Sequence, residues 1–482
     1  MIVNETATGR ENEVTRDDPE GGPEQSPTPA GATTRPPLAR QHRRWLVAIV
    51  GVGLVLRLGW GLYALDDVPT SWLGGGDQYS YWYYGNEIAD GDGYISYVTD
   101  EGTAYYPIGY PATLAAVFWL QEHTPLPDHQ PTTVAVFHAL LSAATVLLVF
   151  VVARALLGPR RALVAAAITA LMPNLVLYVA SYTLEPTFMF LLMAALAVFV
   201  THDWANGPPS NRRVLAFGGV LALSVMVRPF SLPLLLALGV GVVLVRGGWR
   251  RALGSVALAA LPVVALITPW TIRNFEAMDA FVPISTNLGD TACLDRTLES
   301  TGRFTWANHD GCADPYLPEA ERNRENLGKA ISFVVEHPTE ELRLMGRRTA
   351  IMFEHGHSGL EETEGVHGRF LGDRTRSAVA TTADWYLWIV SVGAVVGLAT
   401  VLARRGDPAT RVQRWTVAFI LVVLFAIPIG LWGNPRFHVP LLALMAIGTA
   451  AVPVPDRIAR LVTRRRSEVG QPAPTPEAHG AG

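Results

Sequence analysis

Residues 74–94 read GGGDQYSYWYYGNEIADGDGY, and they follow an apolar run at 45–65 that is long enough to cross a membrane. Behind three glycines the stretch carries five tyrosines, one tryptophan and four carboxylates. It is too polar to span a bilayer, because charged side chains in hydrocarbon are costly. The apolar run and the polar stretch together therefore predict a membrane helix followed by a polar, aromatic site at one face of the membrane.

The composition indicates a multi-pass membrane protein. Of 482 residues, 50% are hydrophobic and only 17% are charged, and the mean hydropathy is +0.24. A soluble domain usually carries about 25% charged residues. The net charge of −4 is close to neutral, so the location of the basic residues is more informative than their number. We expect no nucleic-acid partner.

Polar tails flank the apolar part of the chain. Residues 1–40 are rich in Pro, Gly, Glu and Thr and contain no apolar run that could be a cleavable signal. Residues 456–482 hold a basic segment and, from about residue 467, a second polar stretch. We predict disordered cytoplasmic tails at both ends and a transmembrane domain at 41–455.

Ten apolar runs approach the length of about 20 residues that a helix needs to cross a bilayer. They predict an all-α polytopic fold with about ten transmembrane helices. The runs lie at 45–65, 132–153, 162–181, 185–201, 213–227, 231–246, 252–270, 385–403, 415–432 and 437–454.

The arginines predict the topology. Segment 108–120 is short and starts at a Pro-Ile-Gly-Tyr-Pro sequence, which suits an interfacial helix that does not span. With that segment excluded, the basic clusters between spans all fall on one side, as the positive-inside rule requires. Both termini are therefore expected in the cytoplasm of a plasma-membrane protein. The clusters are at 40–44, 154–161, 212–213, 246–251, 404–414 and 464–466.

This topology predicts two large external segments, 66–131 and 271–384. The second contains both cysteines of the chain, Cys293 and Cys312. Two cysteines in one external loop favour a disulfide, with a pair of free thiols as the alternative. Apolar residues at helical spacing over 318–354, interrupted at His337-Pro338, predict two amphipathic helices on the outer face.

A cluster of histidines and glutamates follows these helices. It could bind a cation, although an exposed loop of mixed charge is the plainer interpretation. Its members are His355, His357 and His367 with Glu354, Glu361, Glu362 and Glu364.

Several charged residues lie where a membrane protein usually avoids them, at the outer ends of spans or within them. They predict a cavity at the outer membrane boundary with an acidic wall and a basic wall. Guanidinium groups bind phosphate oxygens bidentately, and carboxylates can deprotonate an acceptor hydroxyl. The alternative is that the arginines snorkel to headgroups and the acids cap helices. The residues are Asp77, Glu185, Arg57, Arg228, Arg273 and Arg436.

The aromatic residues of the opening stretch also have two interpretations. Aromatic side chains at a membrane boundary commonly form an interfacial belt, which suits most of Tyr79, Tyr81, Trp82, Tyr83 and Tyr84. Sugar faces also stack on aromatic rings, so some of them could line a pocket.

The order of these motifs resembles the GT-C membrane glycosyltransferases, which include protein O-mannosyltransferases and the lipid A aminoarabinose transferase. The resemblance extends over roughly 45–455. It rests on the opening stretch at 74–94, AYYPIGYPATLAAVFWL at 104–120, RALLGPRRALVAAAITALMPNLVLYVASYTLEPTFMF at 154–190, RPF at 228–230, TPWTIRNFEAMDAFVPIS at 268–285 and NPRFHVP at 434–440.

The resemblance implies catalytic roles for two carboxylates. Asp77 matches the family's acidic residue in the first external loop, and Glu185 matches that of the second external turn. Protein O-mannosyltransferases carry Asp-Glu at the first position, whereas this chain has Asp77-Gln78. That departure weakens an assignment to protein O-mannosylation.

The resemblance also implies which residues bind substrate. The sequence YPIGYP at 106–111 looks like the family's proline-bearing juxtamembrane helix, here without the usual lysine. Arginines at the outer ends of spans are then the expected phosphate ligands. The implied substrate-binding residues are Arg57, Tyr79, Tyr106, Pro107, Arg228, Arg273 and Arg436.

Together these features predict an inverting glycosyltransferase that uses a polyprenyl-phosphate sugar. Asp77 would take the acceptor's proton, and the acceptor would be a glycan, lipid or protein at the external face. A divalent cation, Mg or Mn, held by Asp77 and Glu185 is possible but not required. The competing hypothesis is a lipid or solute transporter or flippase, although such proteins place their charges near the bilayer midplane.

Overall fold

A computed structural model describes residues 37–65, 76–125, 128–303, 311–312, 316–403 and 408–453. Residues 1–36 of the predicted tail at 1–40, the whole predicted tail at 456–482, and the glycines at 74 and 75 lie outside the described residues. Within the described ranges the chain is helical and forms no sheet, and extended backbone pairs only in two isolated bridges. The all-α prediction is confirmed.

Seventeen α-helices follow one another along the described ranges. They are α1 (Arg40–Leu65), α2 (Asp77–Asp90), α3 (Gly109–Glu122), α4 (Gln130–Leu157), α5 (Pro159–Leu171), α6 (Pro173–Leu177), α7 (Glu185–Val200), α8 (Asn211–Val227), α9 (Leu234–Leu244), α10 (Gly248–Met278), α11 (Asn287–Cys293), α12 (Glu319–Glu336), α13 (Pro338–Met352), α14 (Ser358–His367), α15 (Asp373–Ala403), α16 (Pro408–Ile429) and α17 (Val439–Ala450).

Each of the ten apolar runs coincides with helix, but the helices differ in length. Five described helices are long and apolar enough to cross a membrane, namely α1, α4, α10, α15 and α16, and the bent pair of α5 with the segment Pro173–Ala180 would make a sixth. The pair bends by 56° at Met172-Pro173, because proline cannot continue the hydrogen bonding of the preceding helix. Helix α3 has 14 residues and is not among the candidate spans. The structure establishes a polytopic membrane protein, and ten crossings stay a prediction.

Small residues allow the apolar helices to pack closely. Helix α8 lies against α10 at Gly218, where a Cβ atom would be 2.3 Å from the carbonyl oxygen of Ala259. Helix α15 lies against α17 at Gly397, where a Cβ atom would be 1.8 Å from the carbonyl oxygen of Gly448. Helix association in lipid relies on such close packing. These contacts hold the spans that carry the site.

The segment 271–384 contains the two predicted amphipathic helices, α12 and α13, with the break at His337-Pro338. Apolar side chains on α12 face outward, including Ile331 at 57% and Val335 at 73% exposure. The same segment is crosslinked, since Cys293 at the end of α11 forms a disulfide with Cys312.

Candidate active site

Asp77 begins α2, the helix that carries the aromatic stretch. The preceding Gly76 has φ 80°, a left-handed conformation that favours glycine, and this turn places Asp77 in the first helical turn, where the helix dipole favours a negative charge. Its Oδ1 accepts a 2.6 Å hydrogen bond from the hydroxyl of Tyr106. Its Oδ2 accepts a 2.8 Å bond from Nη1 of Arg436. The side chain is 42% exposed, so Asp77 is open to an incoming molecule.

Glu185 begins α7 and is completely buried. Its Oε1 accepts a 2.6 Å bond from Nε of Arg436 and lies 3.5 Å from Nη2 of Arg228. Its Oε2 has no hydrogen-bond partner among the described residues. Glu185 also lines a small cavity of about 10 Å³, which has room for about one water.

Arg436 joins the two carboxylates. The side chain of Asn434 accepts a 2.8 Å bond from the backbone N–H of Arg436 and so fixes the turn before α17. From there one guanidinium reaches Asp77 at the start of α2 and Glu185 at the start of α7. Three segments that are distant in sequence therefore meet at one buried cation. We call the group of charged side chains around it the Arg436 cluster, which consists of Asp77, Glu185, Arg228, Glu362 and Arg436.

Glu362 is the third carboxylate of the Arg436 cluster. Its Oε1 lies 3.9 Å from Nη1 of Arg436, and its Oε2 accepts a 2.9 Å bond from Nε2 of Gln78. The Oε1 of Gln78 in turn accepts a 2.8 Å bond from the backbone N–H of Tyr182. Gln78, the residue after Asp77, thus links α14 to α2 and to the turn before α7.

Burial raises the pKa of Glu362 to about 7, with a further increase from the negative charges of Glu185 and Asp77 and an opposing effect from Arg436. Sequence analysis placed Glu362 only in the histidine and glutamate cluster and missed this contact. The only signal for Glu362 in the sequence was that a glutamate lies in a predicted external loop. Nothing in the sequence indicated that α14 docks onto α2.

Arg228 supplies the second cation of the cluster. It follows the end of α8, and its guanidinium lies 5.2 Å from the ring centre of Phe230, 5.8 Å from that of Phe188 and 6.0 Å from that of Phe437. Aromatic faces attract a guanidinium at such distances. Its Nη1 has no partner among the described residues, and the same is true of Nη2 of Arg436. Two buried N–H groups are thus available to an anion.

Aromatic side chains form one wall beside Asp77. The ring of Tyr81 lies 5.0 Å from the rings of both Tyr106 and Tyr110. Tyr81 and Tyr84 are each only 3% exposed, so the interpretation of the stretch as an interfacial belt does not fit these two residues. Burial, followed by the charge of Asp77, holds the pKa of Tyr81 well above its usual value.

Tyr79 and Pro107 lie beside this wall rather than in the cluster. The ring of Tyr79 packs on Tyr97 at 5.2 Å and on Trp82 at 5.8 Å. Pro107 is buried immediately before α3. Neither has a described contact with Asp77, Glu185 or Arg436.

Two of the predicted arginines lie elsewhere. Arg57 in α1 is completely buried and donates to Oγ of Ser142 at 2.6 Å and to the backbone carbonyls of Gly53, Thr169 and Ala170 at 2.8 to 3.1 Å. Its hydrogen-bonding capacity is used within the bundle. The structure does not bring Arg57 into the Arg436 cluster.

Arg273 lies at the outer end of α10. It donates to the backbone carbonyl of Thr103 at 2.6 Å and to that of Tyr94 at 2.5 Å. These bonds hold the loop between α2 and α3 against α10. Its described contacts are structural and do not reach the Arg436 cluster.

The two carboxylates predicted as possible metal ligands are bridged by a cation that the protein itself supplies. Nε of Arg436 bonds to Glu185 and Nη1 bonds to Asp77. Among the described residues, the only group of three His, Cys, Asp or Glu side chains close enough to hold an ion is His355, His357 and Asp384. We therefore derive the chemistry of the cluster from its arginines.

Comparison with known proteins identifies the fold. The model of the dolichyl-phosphate-mannose-protein mannosyltransferase family matches residues 114–272, a part that contains Glu185 and Arg228. No curated protein sequence matches the chain significantly.

Solved structures of an archaeal oligosaccharyltransferase from Archaeoglobus fulgidus have a similar fold. AglB in complex with an inhibitory peptide and a dolichol-phosphate matches with a TM-score of 0.54 at 14% identity, over 91% of this chain and 52% of that one. The apo form matches with a TM-score of 0.53 at 14% identity, over 90% and 52%. This chain thus spans about half the length of those structures. The likeness to those structures shows that this chain shares their membrane fold, and residues 114–272 match the mannosyltransferase family model.

Proposed function

We propose that the protein is an inverting glycosyltransferase that moves a sugar from a polyprenyl phosphate to an acceptor hydroxyl. The observation that carries the proposal is the Arg436 cluster, in which an exposed carboxylate and a buried one share a single guanidinium. A cluster with acids on one side and unpartnered arginine N–H groups on the other suits an acceptor hydroxyl and a phosphate, respectively.

The arginines provide the site for the donor phosphate. Nη1 of Arg228 and Nη2 of Arg436 are buried and unpartnered within the described chain, and a lipid monophosphate would supply the acceptor oxygens that they lack. As the bond between the anomeric carbon and the phosphate oxygen breaks, the electron pair stays on the phosphate. Fixed cations stabilise that developing charge without reorganisation.

Asp77 is placed to act as the base. Its side chain is the most exposed of the three carboxylates, so an acceptor can reach it from outside. The acceptor oxygen forms a bond to the anomeric carbon while its proton passes to Asp77. A single displacement from the face opposite the phosphate inverts the anomeric configuration, as in inverting glycosidases.

Glu185 and Glu362 support this step from the opposite side of Arg436. Glu185 is completely buried and fixes the orientation of the guanidinium through the 2.6 Å bond to Nε. Glu362 holds Gln78, the residue after Asp77, through the 2.9 Å hydrogen bond. We assign both residues to positioning, and the hydroxyl of Tyr106 to orienting the Asp77 carboxylate.

The comparisons support a lipid-phosphate donor. The matching family is described by its use of dolichyl-phosphate mannose, and the AglB structure with the similar fold contains a dolichol-phosphate and a peptide. We infer a polyprenyl-phosphate donor for this chain and an acceptor that is a glycan, lipid or protein. We further propose that residues 41–455 form the catalytic domain, that both termini are cytoplasmic, and that the reaction occurs at the external face of the plasma membrane.

The test is turnover of a panel of polyprenyl-phosphate sugars by the purified protein, with membrane extract as the source of acceptor. The proposal predicts release of the lipid monophosphate from one donor and a product whose anomeric configuration, read by NMR, is opposite to that of the donor. Retention of configuration would overturn the inverting mechanism. Movement of labelled donor across vesicle membranes without release of sugar would favour the transporter or flippase instead.

A further inference from the structure

A second cluster of chemically reactive side chains lies between α13 and α14, outside the Arg436 cluster. The loop there contains the sequence His355-Gly356-His357, and Asp384 faces it from α15. One potential ligand atom from each of His355, His357 and Asp384 lies within 4.8 Å of the others. The mechanism proposed above uses none of these groups.

The backbone of this loop is held tightly against α15. A Cβ atom at Gly356 would lie 2.3 Å from the carbonyl oxygen of Ala383, so only glycine fits between the two histidines. The backbone N–H of Gly356 donates to Oδ1 of Asp384 at 2.7 Å. The loop therefore presents its two histidines in a fixed position, as a preorganised ligand site requires.

The two imidazoles lie face to face. Their ring centres are 4.1 Å apart with 26° between the planes, and each side chain is only 16% exposed.

Carboxylates complete the surroundings of this pair. Oε1 of Glu361 lies 3.6 Å from Nε2 of His355 and 3.9 Å from Nε2 of His357. In tetrahedral zinc sites with bonds of about 2.0 to 2.1 Å, neighbouring ligand atoms are about 3.3 Å apart. Oε1 of Glu361 would need to approach the two Nε2 atoms by only about 0.3 to 0.6 Å. Because the rings are stacked, the His355 ring would also have to turn so that its lone pair points at the shared ion.

Asp384 has a different role in this arrangement. Its Oδ1 lies 2.7 Å from Nδ1 of His357, which leaves Nε2 of that ring for a ligand. A carboxylate bound to the far nitrogen of a metal-ligating histidine is the usual way to fix the ring and its tautomer. Nδ1 of His355 is buried and has no hydrogen-bond partner within the described chain.

We propose that His355, His357 and Glu361 bind one transition-metal ion of the zinc class, with Asp384 orienting His357. Two imidazole ligands favour zinc, and magnesium and calcium prefer sets of oxygen ligands. A bound ion would clamp the loop at 355–357 to the first turns of α14, and the contact between His357 and Asp384 would hold this clamp against α15. Because Glu362 follows Glu361 directly, the clamp would also hold α14 where Glu362 meets the Arg436 cluster. The site does not depend on the sugar chemistry.

The experiment measures metal bound to the full-length protein, purified in detergent, exposed to zinc and dialysed against metal-free buffer. We expect about one zinc per chain by mass spectrometry. We expect His355→Ala and His357→Ala to lower zinc affinity at least 100-fold, and Asp384→Asn to lower it about 10–100-fold, the usual effect of losing such an orienting partner.

Two controls make the result specific. His367→Ala removes the third histidine of the same segment, whose ring instead packs on Phe370 at 4.7 Å, and should keep one zinc. Asp77→Asn should also keep it, which separates this site from any ion in the Arg436 cluster. X-ray absorption of the wild-type protein should contain the signature of two imidazole ligands, a readout that does not require a folded variant.

Wild-type protein that retains no zinc, or equal loss in His367→Ala and His357→Ala, would overturn the proposal. So would an absorption spectrum without imidazole ligands. Failure of sugar transfer would leave the zinc result unaffected, so the two proposals fail independently.

Discussion

Arg57 and Arg436 are both buried arginines, the first within α1 and the second in the turn before α17, and the sequence suggested the same role for both. Arg57 donates to one hydroxyl and three backbone carbonyls of the α1, α4 and α5 bundle. Arg436 instead bonds to two carboxylates from distant segments and keeps one buried N–H unpartnered among the described residues. Each nitrogen of the Arg57 guanidinium therefore bonds to a neutral acceptor, whereas the Arg436 guanidinium pairs with negatively charged carboxylates.

The difference separates a structural arginine from a functional one. Helix carbonyls can satisfy a guanidinium completely, and such a residue then has nothing left to offer a ligand. A guanidinium between carboxylates, with an N–H to spare, retains both charge and hydrogen-bonding capacity where an anion can use them. The predictions below test this distinction.

The largest effect is expected for Arg436→Lys. A lysine ammonium cannot reach both Asp77 and Glu185 with the planar geometry of a guanidinium, so the cluster loses its bridge and one phosphate donor. Loss of one such donor lowers turnover about 10²- to 10³-fold. The measurement is sugar release from the active donor by purified protein, normalised to the folded fraction. Arg374→Lys, on an exposed turn of α15, is the matched control, and a variant with more than half of wild-type turnover would contradict the assignment.

An intermediate effect is expected for Glu362→Gln, which keeps the hydrogen bond to Gln78 but removes the charge. Turnover should fall about tenfold, at the low end for positioning groups. Stability should change with pH. The pKa of Glu362 is raised from 4.5 to about 7 in the folded protein, so between these values the folded state holds a proton that the unfolded state has released, and stability falls as pH rises through the window.

The variant has no such proton. Its melting temperature should therefore exceed that of wild type at pH 8 and equal it at pH 4.5. Thermal melts at both pH values provide the measurement, with Glu336→Gln on the exposed side of α12 as control. A difference in melting temperature that is the same at both values would contradict the assigned pKa.

The smallest effect on turnover is expected for Arg57→Lys. The change removes buried hydrogen bonds from a charged donor, each worth about 1.5 to 3 kcal/mol, so the melting temperature should fall clearly. Turnover of the folded fraction should stay within about threefold of wild type, since Arg57 does not contact the cluster. If Arg57→Lys had normal stability but lost turnover, Arg57 would have a role in the active site, and its assignment as a structural residue would be wrong.

The sequence predicts the helices and the charged outer ends because both follow from local patterns. Apolar runs of span length coincide with helix throughout, and the acids at positions 77 and 185 stand at helix starts, where Gly76 and Pro186 favour initiation. The break at His337-Pro338 follows from the same rules. Such features need only a few neighbouring residues to be recognised.

The partners of each charge do not follow from local patterns. Glu362 is 285 positions from Asp77 in the chain, and only the docking of α14 onto Gln78 brings it to the cluster. Likewise, the flanking sequences of Arg57 and Arg436 do not reveal which groups pack around each guanidinium. His355 and His357 stood out in the sequence, but Asp384 joins them only because α15 passes the loop.

The most direct test of the Arg436 cluster as the catalytic centre is donor turnover by Asp77→Asn beside wild type and Asp92→Asn. Asp92 is an exposed acid just beyond the end of the same helix and should be dispensable. Loss of a catalytic base lowers rates about 10²- to 10⁴-fold, so we expect Asp77→Asn to fall by that factor while Asp92→Asn stays at the wild-type rate. Equal turnover by all three proteins would place the base elsewhere and contradict the account.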